Sequence, residues 1–228
     1  KLAIVVMDTQ GLFDNKASSQ EGLRIFALNT LLSSFLVLNL NDVIQENQLE
    51  YLQTATNYGK LINSLNGEKR NGRAFQNLLF LVNDWSNTDE HSFGLDGGDE
   101  YVKKFLTHDQ NDKAQSKSLK VVRENIFETF EDIYGYLIPR SGTDFTKNSS
   151  YNGNWGTLQS NFLFKFKELI EWTLKPERMK LKKIFGIELT GRGFSDYIQA
   201  LSEAAKSSDI PSITSLFNIT LEHQMSSI

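Results

Sequence analysis

The chain has 228 residues, 39% of them hydrophobic and 23% charged, with a formal net charge of −4; this length suits one large domain, or at most two small ones, with a sizeable core. It contains no cysteine, which excludes disulfide frameworks, cysteine-ligated metal sites and thiol nucleophiles, and which suits a reducing compartment such as the cytosol. The acidic balance argues against nucleic acid as a partner.

Taken in chain order, apolar runs typical of buried strands alternate with stretches in which apolar residues recur every three or four positions. Strands are predicted at 2–7, 35–40, 78–82 and 136–138. Helices are predicted around 23–30, 49–62, 100–106, 119–133, 158–173 and 194–205. This alternation predicts an α/β fold with a doubly wound, mostly parallel sheet and helices on both faces.

In such a sheet, ligands bind at the carboxyl ends of the strands, so the residues that follow each strand are the candidates. Asp8-Thr9-Gln10-Gly11 follows the first strand. In a nucleoside triphosphatase, an aspartate here holds Mg²⁺, often through a water, and the glycine N–H reaches the γ-phosphate. Taken alone, the motif is equally typical of a turn closed by glycine.

Asn83-Asp84 ends the strand at 78–82. A fixed carboxylate there can accept hydrogen bonds from the N1–H and N2 amine of guanine, a donor pair that adenine lacks. A strand-terminal turn or a helix cap explains the same residues when they stand alone. A loop of about fifteen residues after Ile138 is the third candidate, because loops of this length are often functional. In this order, the three signals match the second half of a P-loop GTPase domain.

Longer segments resemble the atlastins, the dynamin-superfamily GTPases of the endoplasmic reticulum. Residues 7–14, MDTQGLFD, are similar to their switch II. Residues 84–86 and 90–95 are similar to their guanine-reading motif and the segment after it, and residues 189–194 to the last helix of their GTPase domain. Gln10 fits atlastins better than the related guanylate-binding proteins, which usually carry glutamate there. Further matches lie at 26–30, 39–40, 44–46 and 57–61.

The resemblance implies a Mg²⁺-dependent enzyme that binds GTP and GDP and hydrolyses GTP. It implies a homodimer formed through the GTPase domain when nucleotide is bound, and homotypic tethering and fusion of endoplasmic reticulum membranes from their cytosolic face. Attachment to the membrane would come from segments outside this chain. The alternative is a GTPase-fold binding module of the guanylate-binding-protein type, with little or no turnover.

The resemblance also assigns residues. Asp8 would lie near Mg²⁺, through a water, and Gly11 at the γ-phosphate, with Thr9 and Gln10 in the same nucleotide-binding loop. Asp84 would read guanine beside Asn83, which stands where the family usually has arginine. In the loop after Pro139, Gly142 keeps the register of the family pattern and, with Phe145, is the candidate cap over the base.

The P-loop motif G-x-x-x-x-G-K-[ST] and switch I are not in this sequence, and we expect both, with the P-loop lysine and arginine, upstream of residue 1. No catalytic residue is assigned within the chain, and Leu12 stands where small GTPases have a water-orienting glutamine. We therefore expect residues 1–206 to be the GTPase domain from switch II onward, and 207–228 a linker toward a following helical domain. The segment alone is expected to be inactive.

Overall fold

The structure is a computed structural model that describes residues 2–9, 19–66, 73–107, 117–142, 152–184 and 186–206. Its main sheet has three strands in the order β1 (Phe35–Asn41), β2 (Phe75–Asn83) and β3 (Phe130–Leu137). Both neighbouring pairs are parallel. The predicted parallel α/β architecture is therefore confirmed.

Six α-helices accompany the sheet in the described residues: α1 (Ser19–Leu32), α2 (Glu46–Asn66), α3 (Leu95–Thr107), α4 (Lys117–Thr129), α5 (Ser160–Thr173) and α6 (Gly191–Lys206). A single 3₁₀ turn spans Trp155–Thr157, and a short antiparallel pair joins β4 (Lys183–Ile184) to β5 (Ile187–Glu188). The sequence did not predict these small elements, because each is too short to carry a periodic pattern.

The central strand β2 faces two separate cores. Leu78, Phe80 and Val82 point into a large core with side chains from α1 to α4 and α6. Leu79 belongs instead to a smaller core with Leu169 of α5, on the other face of the sheet. Since successive strand residues point to opposite faces, this alternation confirms helices on both faces. Burying each such side chain contributes about 1.5–3 kcal/mol.

The strand predicted at 2–7 is wrong: these residues form no regular secondary structure. Val5 and Val6 are 63% and 88% exposed. Strand propensity reflects packing against neighbours rather than a preference of the backbone itself. In the described part of the chain no strand pairs with this segment, so its β-branched composition has nothing to pack against.

The helix predicted at 119–133 ends earlier than expected. The helix α4 stops at Thr129, and Phe130 opens β3, where it pairs with Phe75. The correction extends to Ile133, which pairs with Leu78 in the ladder. Residues 131–134 are only half-buried, and the start of this strand lacks the mostly apolar run that made β1 and β2 recognisable. Pairing with β2 decides the conformation here.

The helix α3 packs against β3 backbone to backbone. A Cβ added to Gly98 would lie 2.3 Å from the carbonyl oxygen of Gly135, and one added to Gly135 would lie 2.1 Å from that of Gly98. The Asp99 carboxylate accepts a hydrogen bond of 2.7 Å from the Gly135 N–H, and burial raises the pKa of this carboxyl group. The two glycines therefore set the distance between α3 and the sheet.

The amino end of the sheet is crossed by the segment 178–183. The Asn77 side chain donates to the Arg178 carbonyl over 3.2 Å, and the Gln76 side chain donates to the Lys183 carbonyl over 3.2 Å. The buried Lys182 ammonium donates to the Ser33 carbonyl over 2.8 Å, and no carboxylate pairs with it among the described residues. This segment closes the edge opposite to the strand ends that precede the candidate site.

We predict that Gly98→Ala or Gly135→Ala lowers the free energy of unfolding by more than about 2 kcal/mol, because a methyl group at either position overlaps backbone atoms that cannot move aside. Chemical denaturation of the purified protein measures this. Gly191→Ala is the matched control, since a Cβ there has no atom within 4 Å, and it should leave stability unchanged or slightly higher. Equal stability of all three variants would contradict the packing described.

We also predict a pH dependence from Lys182, whose pKa burial lowers from 10.5 to about 7. Between these values the unfolded chain holds a proton that the folded chain has released, so the free energy of unfolding rises with pH. Urea unfolding of wild type and Lys182→Met, at about pH 7.5 and about pH 9.5, should show a steeper rise for the wild type. Parallel pH profiles would show that the amine is not desolvated.

Candidate functional site

The three strand ends are tied together at the carboxyl edge of the sheet. Asn41 pairs with Asn83 in the ladder, and the Asp42 N–H donates to the Asn83 carbonyl over 2.8 Å. The Ile138 N–H donates to the Val82 carbonyl over 2.9 Å, and the Trp85 N–H donates to the Ile138 carbonyl over 3.1 Å. The turns after β1, β2 and β3 therefore form one continuous rim, as expected for ligand binding in a parallel sheet.

Asp84 stands in this rim with an unusual backbone. Its φ angle is +56°, and that of Asp42 on the neighbouring turn is +66°. Aspartate tolerates this left-handed conformation better than most residues, but a non-glycine residue held there signals a constrained position. Asp84 is half-buried, and no described residue donates a hydrogen bond to its carboxylate or pairs with it. Within the described ranges, both carboxylate oxygens are therefore left to accept donors from a ligand.

Asn83, the other predicted residue of this motif, binds within the protein. Its amide nitrogen donates to the Leu40 carbonyl over 3.1 Å and to the Asn39 side-chain oxygen. These two bonds use both amide hydrogens and fix the end of β2 to the end of β1. The structure thus places Asn83 as a cross-strand link beneath Asp84.

Behind Asp84 lies an aromatic cluster formed by Trp85, His91 and Tyr101. Trp85 is 3% exposed, and the centroid of its indole lies 4.8 Å from that of the Tyr101 ring. The indole Nε1–H donates to the His91 carbonyl over 3.0 Å. The Tyr101 hydroxyl accepts a 3.0 Å hydrogen bond from the Ile44 N–H. Burial raises the pKa of Tyr101, so the hydroxyl is protonated at neutral pH. The cluster joins the loop after β2 to α3 and to the turn after β1.

Sequence reasoning placed Trp85 within the guanine-reading motif at 84–86 without giving it a role, and it did not identify Tyr101. A large aromatic residue directly after a candidate ligand, within an otherwise polar loop, was the available signal for Trp85. Tyr101 carried no such signal, because its hydrogen-bond partner Ile44 is 57 residues away. Only the folded chain brings the two together.

Gly142 lies in the loop after β3, close to the start of α5. Its φ angle is +140°, a conformation that favours glycine. The preceding Ser141 carbonyl accepts a 2.9 Å hydrogen bond from the N–H of Gln159, the residue before α5. Phe145, the other candidate of this loop, lies outside the described residues.

Asp8 and Thr9 are not brought to the rim that carries Asp84. Both are exposed, and the Thr9 hydroxyl accepts a 3.2 Å hydrogen bond from the Asn29 side chain. Asn29 lies in the last turn of α1, and its carbonyl accepts a hydrogen bond from the Ser33 N–H. This turn directly precedes the amino end of β1. Gln10 and Gly11 lie outside the described residues, so their predicted roles stay predictions.

Asp8 has the right chemistry for one ligand of a magnesium ion. Mg²⁺ is commonly held by one or two carboxylates together with phosphate oxygens and waters, and the Asp8 carboxylate is exposed. Among the described residues, however, no three acidic or histidine side chains group as a metal site. Asp8 therefore fits as one contributor to a site completed by phosphate oxygens.

No helix in the described ranges is long and apolar enough to cross a bilayer.

Comparison with known proteins agrees with the fold. Atlastin-1 of Mus musculus is 36% identical over 222 residues, which cover 97% of this chain and 38% of that protein. Atlastin-2 of Xenopus laevis is 35% identical, and Atlastin-2 of Homo sapiens 34%, each over 222 residues and 97% of this chain. The chain spans 38% of the first and second of these relatives and 37% of the third.

The resemblance to atlastins is thereby confirmed. In addition, residues 1–183 match the family model described as "Guanylate-binding protein, N-terminal domain". This match takes in most of the chain, including the sheet, α1 to α5 and the rim around Asp84. The chain belongs to the guanylate-binding protein N-terminal domain family, a family of dynamin-superfamily GTPases.

Proposed function

We propose that this chain is part of a dynamin-like protein that binds and hydrolyses GTP, and that Asp84 reads the guanine base. The observation that carries this is the carboxylate of half-buried Asp84, carried at the rim of the parallel sheet without an internal hydrogen-bond donor among the described residues. A carboxylate on a backbone fixed in this way can accept both the N1–H and the N2 amine of guanine. Adenine offers no such pair, so the same carboxylate rejects it.

The neighbours of Asp84 support this orientation. Asn83 is bound to β1 and Trp85 to the end of β3, so the residues on both sides of Asp84 are fixed. A preorganised acceptor loses little conformational entropy when the ligand arrives. Gly142 lies in the loop after the neighbouring strand β3, and we propose that this loop, including Phe145, covers the ring.

The phosphates need donors beyond the Gly11 N–H that the resemblance places at the γ-phosphate. The sequence contains no G-x-x-x-x-G-K-[ST] motif, and we propose that the P-loop lysine and arginine come from a preceding segment of the protein. With the phosphates in place, Asp8 would hold Mg²⁺ through a water, next to Thr9, Gln10 and Gly11. The exposed Val5 and Val6 side chains support a different position for 2–9 in that state, because apolar runs of this kind are normally covered.

The domain boundaries follow from this proposal. Residues 1–206 would form the GTPase domain from switch II onward, and 207–228 a linker to a following helical domain. The similarity to atlastins further supports a homodimer formed through this domain with nucleotide bound, and tethering and fusion of endoplasmic reticulum membranes at their cytosolic face. The comparisons do not favour the alternative of a binding module with little turnover.

We predict that Asp84→Asn weakens GDP and GTP binding by the full-length protein at least about tenfold, because the variant loses a charge-assisted acceptor pair. The asparagine amide offers one donor and one acceptor, which match the C2 carbonyl and N1–H of xanthine, so affinity for XDP should rise. Calorimetric titration with GDP and XDP measures both effects. Asp89→Asn, at an exposed position of the same loop, is the matched control. Unchanged base preference in Asp84→Asn would show that this residue does not read the base.

We also predict that residues 1–228 alone bind GTP weakly or not at all and release no phosphate, since the P-loop is absent from them. Isothermal titration with Mg²⁺ and GTP, together with a phosphate-release assay, measures this. Tight, Mg²⁺-dependent binding by this segment would contradict the proposed division of the site.

A further inference from the structure

We infer that Tyr101 is a positioning residue for base selection, holding the guanine-reading Asp84 in place through its hydroxyl bond to the turn after β1 and through its ring contact with Trp85. This inference rests on the proposed function. The Tyr101 hydroxyl lies on α3 and acts through a closed set of contacts around the Asp84 turn.

The first part of this set runs through Trp85. The residue follows Asp84 directly, and its backbone N–H is bound to Ile138 at the end of β3. Its indole is almost fully buried and packs on the Tyr101 ring at 4.8 Å. Because the Trp85 side chain has so little freedom, a movement of Tyr101 is passed to the peptide that joins Asp84 and Trp85.

The second part runs through the turn after β1. The Tyr101 hydroxyl accepts from the Ile44 N–H over 3.0 Å. Two residues earlier, Asp42 donates its N–H to the Asn83 carbonyl over 2.8 Å. Asn83 in turn precedes Asp84. The contacts therefore form a circuit from Tyr101 through Ile44, Asp42 and Asn83 to Asp84, and back through Trp85.

This circuit explains how Asp84 keeps its unusual backbone conformation. A φ angle of +56° is costly for a non-glycine residue and persists where the surroundings fix it from several sides. Here the fixation comes from both chain neighbours, and Asp42, held in the same conformation at +66°, belongs to the same circuit. Opening the circuit at the Tyr101 hydroxyl would let both turns relax, so the backbone that carries the Asp84 side chain would no longer be held in one conformation.

Glycine packing explains why α3 can provide this support. The contact between Gly98 and Gly135 brings the helix against the sheet at backbone distance, and Tyr101 lies one turn further along the helix. The hydroxyl therefore sits on a rigid element rather than on a loop. Groups on rigid elements position functional side chains more accurately than groups on loops.

The test is base discrimination in the full-length protein with Mg²⁺, measured as the ratio of the dissociation constants of IDP and GDP. Inosine lacks the N2 amine, so this ratio reports how well a carboxylate engages that amine. Tyr101→Phe removes only the hydroxyl and should reduce the ratio by on the order of fivefold. Trp85→Phe, which removes the Nε1–H that is bound to His91, should reduce it as well and serves as the second variant.

Tyr136→Phe is the matched control, since it too removes a single hydroxyl from a tyrosine, here one that donates to the Lys165 carbonyl of α5 over 2.7 Å and to a Glu168 carboxylate oxygen over 3.4 Å. It should leave the ratio unchanged. In an Asp84→Asn background, Tyr101→Phe should have no further effect on the ratio, because the positioned group is already gone.

The outcomes separate the two proposals. If wild type does not prefer GDP over IDP, or Asp84→Asn keeps the preference, the proposed function fails and this inference fails with it. If Asp84→Asn removes the preference while Tyr101→Phe retains it, the guanine assignment stands and the positioning role is wrong. Equal weakening of GDP and IDP by Tyr101→Phe, with an unchanged ratio, would likewise overturn the positioning role.

Discussion

Parallel pairing of three strands around a largely buried β2 is the constraint on which the rest of the structure depends. Phe80, at the centre of β2, is 0% exposed, and its two strand neighbours hold β2 on both edges. Because parallel strands end at the same edge of a sheet, burial of β2 also decides where Asn83 and Asp84 emerge. The core and the candidate site are consequences of the same packing.

The support of the site comes from one close contact. The glycines at 98 and 135 allow α3 to reach the backbone of β3, and this places Tyr101 beside Trp85 and under the turn after β1. A side chain at either glycine would push the helix outward, and the aromatic cluster would separate from the rim. Stability of the α3 packing and orientation of Asp84 are therefore linked through the same helix.

The sequence was sufficient for elements whose signal is local. The strands at 35–40 and 78–82 were predicted correctly because both runs are apolar, apart from Asn39, and can be recognised without knowing their partners. The run at 2–7 has the same composition, yet it forms no strand, since strand formation also requires a neighbour that the described chain does not offer. The first half of β3 was predicted as helix because its side chains are only partly buried and its conformation is imposed by pairing with β2.

Part of the candidate site could likewise be predicted from local sequence, and part of it could not. Asp84 could be identified by its place after a buried strand, whereas the bonding of Asn83 to Asn39 and Leu40 depends on the register of two strands and is not visible in the sequence. Tyr101 depends on a contact across 57 residues and could not be predicted. The predicted partnership of Asp8 with this rim has no contact in the described residues to support it.

The most direct test of the account is an experimental structure of the full-length protein with GDP and Mg²⁺ bound. The account predicts that the two Asp84 carboxylate oxygens lie about 2.7–3.1 Å from the guanine N1 and N2 nitrogens, with the Asp84 φ angle still positive. A base bound elsewhere, or an Asp84 carboxylate turned to solvent while the nucleotide is in place, would contradict it.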